Sequence, residues 1–348
     1  MPDLRRSPMG SNHQYFRFSG LLIFVLLASC GGGGSGGSGG GGTATTETPV
    51  AITTANAEAA AGAGAANAQS TYEVASEGGD IVSGVSVRKA GAGPRLAAFA
   101  NKQLRWIFQN DVDTPPRLTG ISHPDDVPCG VSGSVSVAFN DADNSLGLSA
   151  GDSFTLTFNN CIDYSDMVSV NGMISLRFNA LSGNPLVDSV WSVDVTMTLA
   201  NVVVAGGGDT ATFNGDMSYA LATQDDVNFM GSVKGNSLSI DINGVTETLS
   251  NYLIAFTEND VTLAYTVNAK GTVSSTELGG YVQFETLATF EGVAPDYPHT
   301  GRMKITGESN SSVTLTAIDS TNVQLDIDVD GDGTADQTLT TTWESLDS

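Results

Sequence analysis

The stretch Ser192-Val193-Asp194-Val195-Thr196-Met197-Thr198-Leu199 decides the fold class. Its apolar side chains fall on every second residue, with Ser, Asp and Thr between them. A period of two puts one set of side chains on a buried face and the other in water, as in a half-buried β-strand. The same alternation recurs on both sides, in SVSVAF (134–139), SFTLTF (153–158), GMISLRF (172–178), SLSIDI (237–242), VTLAYTV (261–267), YVQFETL (281–287), SVTLTAI (312–318) and VQLDIDV (323–329). Clusters of Asn, Asp, Gly and Ser separate these runs. The spacing predicts about 12–15 antiparallel strands, each with one dry and one wet face. The fold class is therefore mainly β: a large antiparallel meander, built as a curved open sheet, a sandwich or a barrel-like closure. Ser, Thr, Asn and Asp on the wet positions, without aromatic girdles, argue against a membrane barrel.

A weak repeat runs through the strands. Gly133, Gly172, Gly215, Gly271 and Gly301 each open an alternating run, at intervals of 39, 43, 56 and 30 residues. These intervals are too uneven for a propeller or a strict solenoid.

Before the strands lies one helical pattern, PRLAAFANKQLRWIFQN (94–110). Leu96, Phe99, Ala100, Leu104, Ile107 and Phe108 recur at helical spacing, and Pro94 suits a first turn. Arg88, Lys89, Arg95, Lys102 and Arg105 are five of the 14 Lys and Arg of the chain. An amphipathic helix is expected here. Either it lies on a membrane surface or, as the small number of charges favours, it packs on an acidic β domain.

The N-terminus reads as an address. Arg5, Arg6 and Arg17 precede the apolar run Leu21–Leu27, which is too short to cross a bilayer at ~20 residues. Leu27-Ala28-Ser29-Cys30 comes directly after it. This resembles the lipobox of bacterial lipoproteins. The resemblance implies a signal peptide over 1–29, cleavage before Cys30, and acylation of that Cys with palmitate-type chains. Multiple chains, at ~0.8 kcal/mol per buried CH₂, suffice for stable anchoring. Residue 31 is Gly, where the family's retention signal has Asp, so an outer-membrane lipoprotein facing the periplasm or the cell surface is expected. Residues 31–42 are ten Gly and two Ser, and 43–70 are mainly small or polar. Residues 30–70 thus read as a lipidated Cys on a flexible tether, on the order of 35 Å in reach. Residues 71–128 then form a helix-containing segment, and 129–348 an acidic antiparallel β domain.

The formal net charge of −24 excludes nucleic acid as a partner and favours divalent cations. Cys129 and Cys161 remain after the lipidation Cys, and in an exported chain two cysteines are expected to form a disulfide. They flank the first hairpin symmetrically about Ser145. Strict pairing about that centre would set Val135 opposite Thr155 and mismatch the apolar faces, because a one-residue slip flips every side chain. An irregular loop or a bulge is therefore expected near 140–152.

Two loops offer oxygen ligands. Asp328-Val329-Asp330-Gly331-Asp332-Gly333-Thr334-Ala335-Asp336 looks like the D-x-D-x-D-G core of EF-hand and dockerin-type calcium loops. Asp328, Asp330 and Asp332 stand at positions 1, 3 and 5, Thr334 at 7 and Asp336 at 9. Position 12 is Leu339, so the bidentate acid of an EF-hand is absent, and the flanks are strands. A calcium-stabilised hairpin turn is expected; a metal-free Asp-Gly turn is the plainer alternative. In the second loop Asp141, Asp143, Ser145, Gly147, Ser149 and Asp152 occupy positions 1, 3, 5, 7, 9 and 12. There Leu146 replaces the turn glycine, which puts this loop behind the first.

Catalytic signatures are scarce. After Cys30 the histidines are His123 and His299, each beside a Pro, too few for a His-based metal site or triad. Neither G-x-S-x-G nor H-E-x-x-H occurs, and the S-x-x-K at Ser86–Lys89 has no K-T-G after it. Trp106, Trp191 and Trp343 are too dispersed for a stacking platform. The Gly-rich tether, the Cys-bracketed hairpin and the D-x-D-G-D-G turn together resemble uncharacterised bacterial surface lipoproteins. A non-enzymatic, membrane-anchored envelope protein is therefore expected, with a calcium-stabilised β domain for binding an unknown ligand or envelope protein, or for structural support. The alternatives are a carrier of a lipid or other apolar ligand in a β cavity, and an envelope hydrolase.

Overall fold

The computed structural model describes residues 48–65, 127–145, 149–162, 168–183, 188–206, 208–225 and 227–346. Fourteen strands succeed one another: β1 (Val127–Pro128), β2 (Ser132–Asn140), β3 (Ser153–Ile162), β4 (Ser169–Ser182), β5 (Trp191–Gly206), β6 (Asp209–Thr223), β7 (Asn228–Ile242), β8 (Val245–Asn259), β9 (Ala264–Ser275), β10 (Gly280–Val293), β11 (Thr300–Thr306), β12 (Ser312–Ala317), β13 (Asn322–Asp328) and β14 (Gln337–Thr342). Each pairs antiparallel with the next, and the sheet is open, with β1 and β14 at its edges. Among the alternatives left by the sequence, the open meander is the one formed.

Period two is realised as rows across the strands. Phe154 faces Leu176, Leu176 faces Met197 and Met197 faces Met217. All four side chains are buried. Apolar burial at roughly 25 cal/mol per Å² makes such rows the main favourable contribution to folding. The opposite face carries polar ladders, for instance Thr155 Oγ1 to Ser175 Oγ at 3.3 Å and Thr257 Oγ1 to Thr266 Oγ1 at 2.8 Å.

The repeated glycines mark bulges rather than hairpin turns. At Gly172 φ is +105°, and an added Cβ would lie 2.2 Å from the Asn201 carbonyl oxygen on β5. Asn201 itself adopts φ +47°, a conformation that Asn tolerates better than other residues with a side chain. Its N–H donates to Asn214 Oδ1 at 2.8 Å, and the next glycine, Gly215, comes right after Asn214. One strand back, the Asn160 N–H donates to Asn171 Oδ1 at 2.8 Å. Register shifts therefore fall in line from strand to strand, at Ser132/Ser134, Phe158/Cys161, Asn171/Met173, Leu199/Val202 and Gly215/Ser218. Bulges bend a strand and increase its twist. This line bends strands of 14–16 residues (β4–β6) that would otherwise run straight for ~50 Å.

The first hairpin also departs from symmetry. Val135 pairs with Phe158, Val137 with Leu156 and Phe139 with Phe154. This is an odd slip from the symmetric register, and it matches the apolar faces. The bulge sits at Gly133, at the cysteine end, while 141–152 is the irregular connection.

The tether reading needs correction for residues 48–65. Val50 N–H donates to the Tyr281 carbonyl at 2.9 Å, Glu308 N–H to the Val50 carbonyl at 2.9 Å, and Ile52 N–H to Ser311 Oγ at 2.9 Å. Residues 57–65 then form a helix whose Ala57, Ala60, Ala61, Ala63 and Ala65 are buried. A Cβ added at Gly64 would lie 2.8 Å from Ile305 Cγ1. Composition alone suggests a coil, but small side chains let this helix lie almost against the apolar sheet. Burying its five alanine methyls contributes on the order of 4 kcal/mol at ~0.8 kcal/mol each. The amphipathic helix expected over 94–110 lies outside the described residues, as do the signal peptide, Cys30 and the Gly-rich run. The sheet begins at Val127 rather than at Cys129.

Candidate metal centres and a buried glutamate

Cys129 and Cys161 lie at disulfide distance, with sulfurs 1.96 Å and Cα atoms 5.5 Å apart. They tie the chain just after β1 to β3 beside the Gly133 bulge.

Both acidic loops bring carboxylates together. In each of the sets Asp141, Asp143, Asp152 and Asp328, Asp330, Asp332, one oxygen per residue lies within 4.8 Å of the others. Calcium binds oxygens at 2.3–2.6 Å, so ligands on opposite sides of one ion are ~5 Å apart; both trios fit around a single hard cation. Like charges this close repel by about 3 kcal/mol per pair at an effective dielectric of ~20, and a divalent cation would reverse that term.

The Asp328 loop closes the β13–β14 hairpin. Asp328 is buried, and its Oδ1 and Oδ2 accept the N–H groups of Gly331 and Gly333 at 2.8 and 2.9 Å. Gly331 has φ +75° and lies against the Ser309 carbonyl, where an added Cβ would come within 2.4 Å. Asp330 Oδ1 accepts from Asp332 N–H, and Asp332 Oδ1 from Thr334 N–H. Asp336 is outside the trio: its Oδ2 accepts the Val329 N–H at 2.8 Å and closes the turn. Thr334 contributes its backbone N–H to Asp332. Leu339, at loop position 12, pairs with Leu325 in the sheet.

The Asp141 loop lies at the opposite end of the strands, between β2 and β3. Asp152 is fully buried and Asp141 nearly so. Asp152 Oδ1 accepts the Ala142 N–H at 2.8 Å, and its Oδ2 accepts the Ser149 N–H at 2.7 Å. Ser149 Oγ lies 3.0 Å from Asp143 Oδ2. Ser145 N–H donates to Asp143 Oδ1, and hydrogen bonds from Ser145 and Ser149 hold the Asp143 carboxyl below its ordinary range. Gly147 falls among residues 146–148, outside the described residues. The acid at position 12, which the Asp328 loop lacks, is here part of the trio.

One residue escapes a reading of the sequence alone. Glu258 is 6% exposed at the end of β8, on the face of Tyr252, Ile254 and Phe256. It pairs with Phe229 on one side and Tyr265 on the other. Loss of hydration, with the Asp260 charge added, pushes its carboxyl up to about 7. Burial, then the Glu258 charge, also pushes the Tyr219 hydroxyl up. The available signal is its even position in YLIAFTE (252–258), which puts an acid on the dry face. Of the two histidines after Cys30, His299 is exposed and His123 lies outside the described residues, as do Ser86 and Lys89. Trp191 and Trp343 are both buried as anchors; Trp343 stacks on Tyr297 at 5.9 Å and donates Nε1–H to the Pro298 and Asp319 carbonyls. Trp106 is outside the described residues.

No known protein family matches this chain, and no curated protein or solved structure does either.

Proposed function

We propose that this chain is a non-enzymatic envelope lipoprotein, anchored through acyl groups on Cys30, whose β domain is stabilised by calcium and serves binding or structural support. One observation carries the metal half: two loops of matching D-x-D pattern each fold with three carboxylates within 4.8 Å. The chemistry of the donors, all hard oxygens, suits calcium better than zinc or copper. Asp328, Asp330 and Asp332 would hold one ion, and Asp141, Asp143 and Asp152 another. The lipid half rests on the basic start, the apolar run and Leu27-Ala28-Ser29-Cys30. Because residues 48–52 join the sheet, the leash is shorter than the full 30–70 stretch.

Calcium titration tests the metal reading. Saturation near 100 times the dissociation constant stabilises by about 2.7 kcal/mol per site, and Asp152→Asn and Asp330→Asn should each remove one site. Absence of both calorimetric binding and any calcium-dependent rise in Tm defeats it. Labelling cells with radioactive palmitate tests the anchor: Cys30→Ser should abolish incorporation, and labelling that persists in this variant refutes the assignment.

A further inference from the structure

The two ends of the sheet differ in what they expose. One end carries, besides the Asp141 loop, the β4–β5, β6–β7, β8–β9, β10–β11 and β12–β13 turns. Among the described residues, six of the eleven exposed large apolar side chains lie there: Val190, Met230, Val261, Leu263, Val293 and Ile318. Only Val131 and Val329 lie at the other end. Val261 and Leu263, at the tip of the β8–β9 hairpin, are 75% and 44% exposed. Just behind this tip, at the end of the strands, is a depression of about 400 Å³ spanning β7 to β10. Met230, Thr257 and Val293 line it together with Glu258, Glu291 and His299.

Charge selects the partner. Asp225, Asp260, Asp296 and Asp319 occupy successive turns of this end, and the described residues of the five turns include no Lys or Arg. Hydrogen bonds from neighbouring backbone and side-chain groups hold the Asp225 and Asp319 carboxyls below their ordinary range. The depression has no Lys or Arg in its lining. Apolar side chains beside several carboxylates, with no Lys or Arg among the described residues of these turns, oppose an anionic lipid surface and suit a polypeptide that is both basic and apolar.

We propose that this end of the sheet is a docking surface for a basic amphipathic polypeptide segment, whose apolar anchor enters the Met230–Val293 depression and whose Lys or Arg side chains meet the aspartates of the turns. A single apolar anchor in a pocket with a charged rim is the usual anatomy of such an interface. The inference deepens the reading of a binding domain and needs neither the lipid nor the metal.

The test uses the full chain in detergent, with calcium and with chelator, and a synthetic amphipathic peptide of Leu and Lys beside its Leu and Glu counterpart. The Leu/Lys peptide should bind, more weakly as salt rises, and the Leu/Glu peptide should not. Joint replacement of Met230, Val261 and Leu263 by Ser should weaken binding at least about tenfold, or about 1.4 kcal/mol. The same replacement of Met173, Leu253 and Leu287, exposed in mid-strand, should not. Amide exchange of the unaltered chain should slow at 228–230, 257–266 and 291–299 on adding peptide. Equal losses in the two triple variants, or protection spread over the whole wet face, reduce the binding to net charge and overturn the proposal. Binding to phosphatidylcholine vesicles through the same three residues, with no effect on the peptide, assigns the surface to lipid and also overturns it. Loss of binding in chelator would make the surface depend on metal and would overturn the proposal as well, whereas binding that persists in chelator supports it.

Discussion

Replacing Glu258 by Gln should make the protein more stable above neutral pH and leave it nearly unchanged near pH 4.5. The carboxyl's ordinary value is 4.5 and the folded value about 7. Below 4.5 the group is neutral folded or unfolded and contributes nothing to the pH dependence. Between the two values the unfolded chain releases a proton that the folded chain keeps, so rising pH favours unfolding. Above 7 both states are ionised and the full penalty is present. A displacement from 4.5 to about 7 corresponds to at most ~3.4 kcal/mol at 1.36 kcal/mol per pH unit. The carboxyl retains some contact with water, and part of its shift comes from the water-screened Asp260, so about 2 kcal/mol is expected. Gln has the same shape and no charge to lose. Urea unfolding at pH 4.5, 6, 7 and 8.5 measures the difference between the two proteins. Asp143, Asp225 and Asp319, whose values are lowered, change stability in the opposite sense and below pH 4, outside this window. Their contributions also cancel in the difference. A gap between variant and parent that is the same at pH 4.5 and 8.5 would falsify the idea that Glu258 is held in a dry environment.

Two more perturbations probe the frame. The Cys129–Cys161 link spans 32 residues, and replacing both cysteines by Ser should lower stability by about 3.5 kcal/mol through the freed unfolded chain; an unchanged urea midpoint refutes this. In Gly307→Ala the new Cβ would meet the Val50 carbonyl oxygen at 2.1 Å. The expected loss is about 1–3 kcal/mol, with faster amide exchange at Val50 and Ile52, and exchange as slow as in the parent would show that residues 48–52 are not held against this turn.

The meander is legible in the sequence because period two is imposed residue by residue. Leu156, Ile174 and Leu199 must all face inward, and their neighbours must face water, whatever the sheet does globally. Openness is not legible, since a strand's own pattern is the same in a sheet that closes and in one that does not. The repeat of glycines is visible, but its cause lies on the neighbouring strands: Gly172 is required because Asn201 approaches it, 29 positions away. Both acidic loops can be read from spacing, because the carboxylates at positions 1, 3 and 5 of one and at 1, 3 and 12 of the other lie within one short connection. Their order cannot. Leu146 counts against the Asp141 loop, yet the Phe178 N–H bonded to the Asp152 carbonyl at 2.9 Å ties that loop to β4, a support that exists only once the sheet is formed.

Residues 48–65 defeat a reading by composition for a reason that bears on how such chains should be parsed. Ala and Gly runs lack the bulky side chains that build a core alone, so composition assigns them to coil. A large sheet changes the balance, because it supplies the apolar surface and asks of its partner only close approach. Helix propensity favours Ala, and an alanine face brings its backbone nearer to Met303 and Ile305 than a leucine face could. The glycines at 280 and 307 complete the fit, with the Thr48 and Val50 carbonyls lying where their Cβ atoms would be. Small residues on both partners are thus one device: the helix and its extended lead-in segment are legible only together with the sheet that receives them. The same logic sets where the chain's N-terminal part enters the domain, at the end of the sheet opposite the acidic and apolar turns. A partner gripping those turns would therefore engage the domain at the end farther from the entry of any membrane leash.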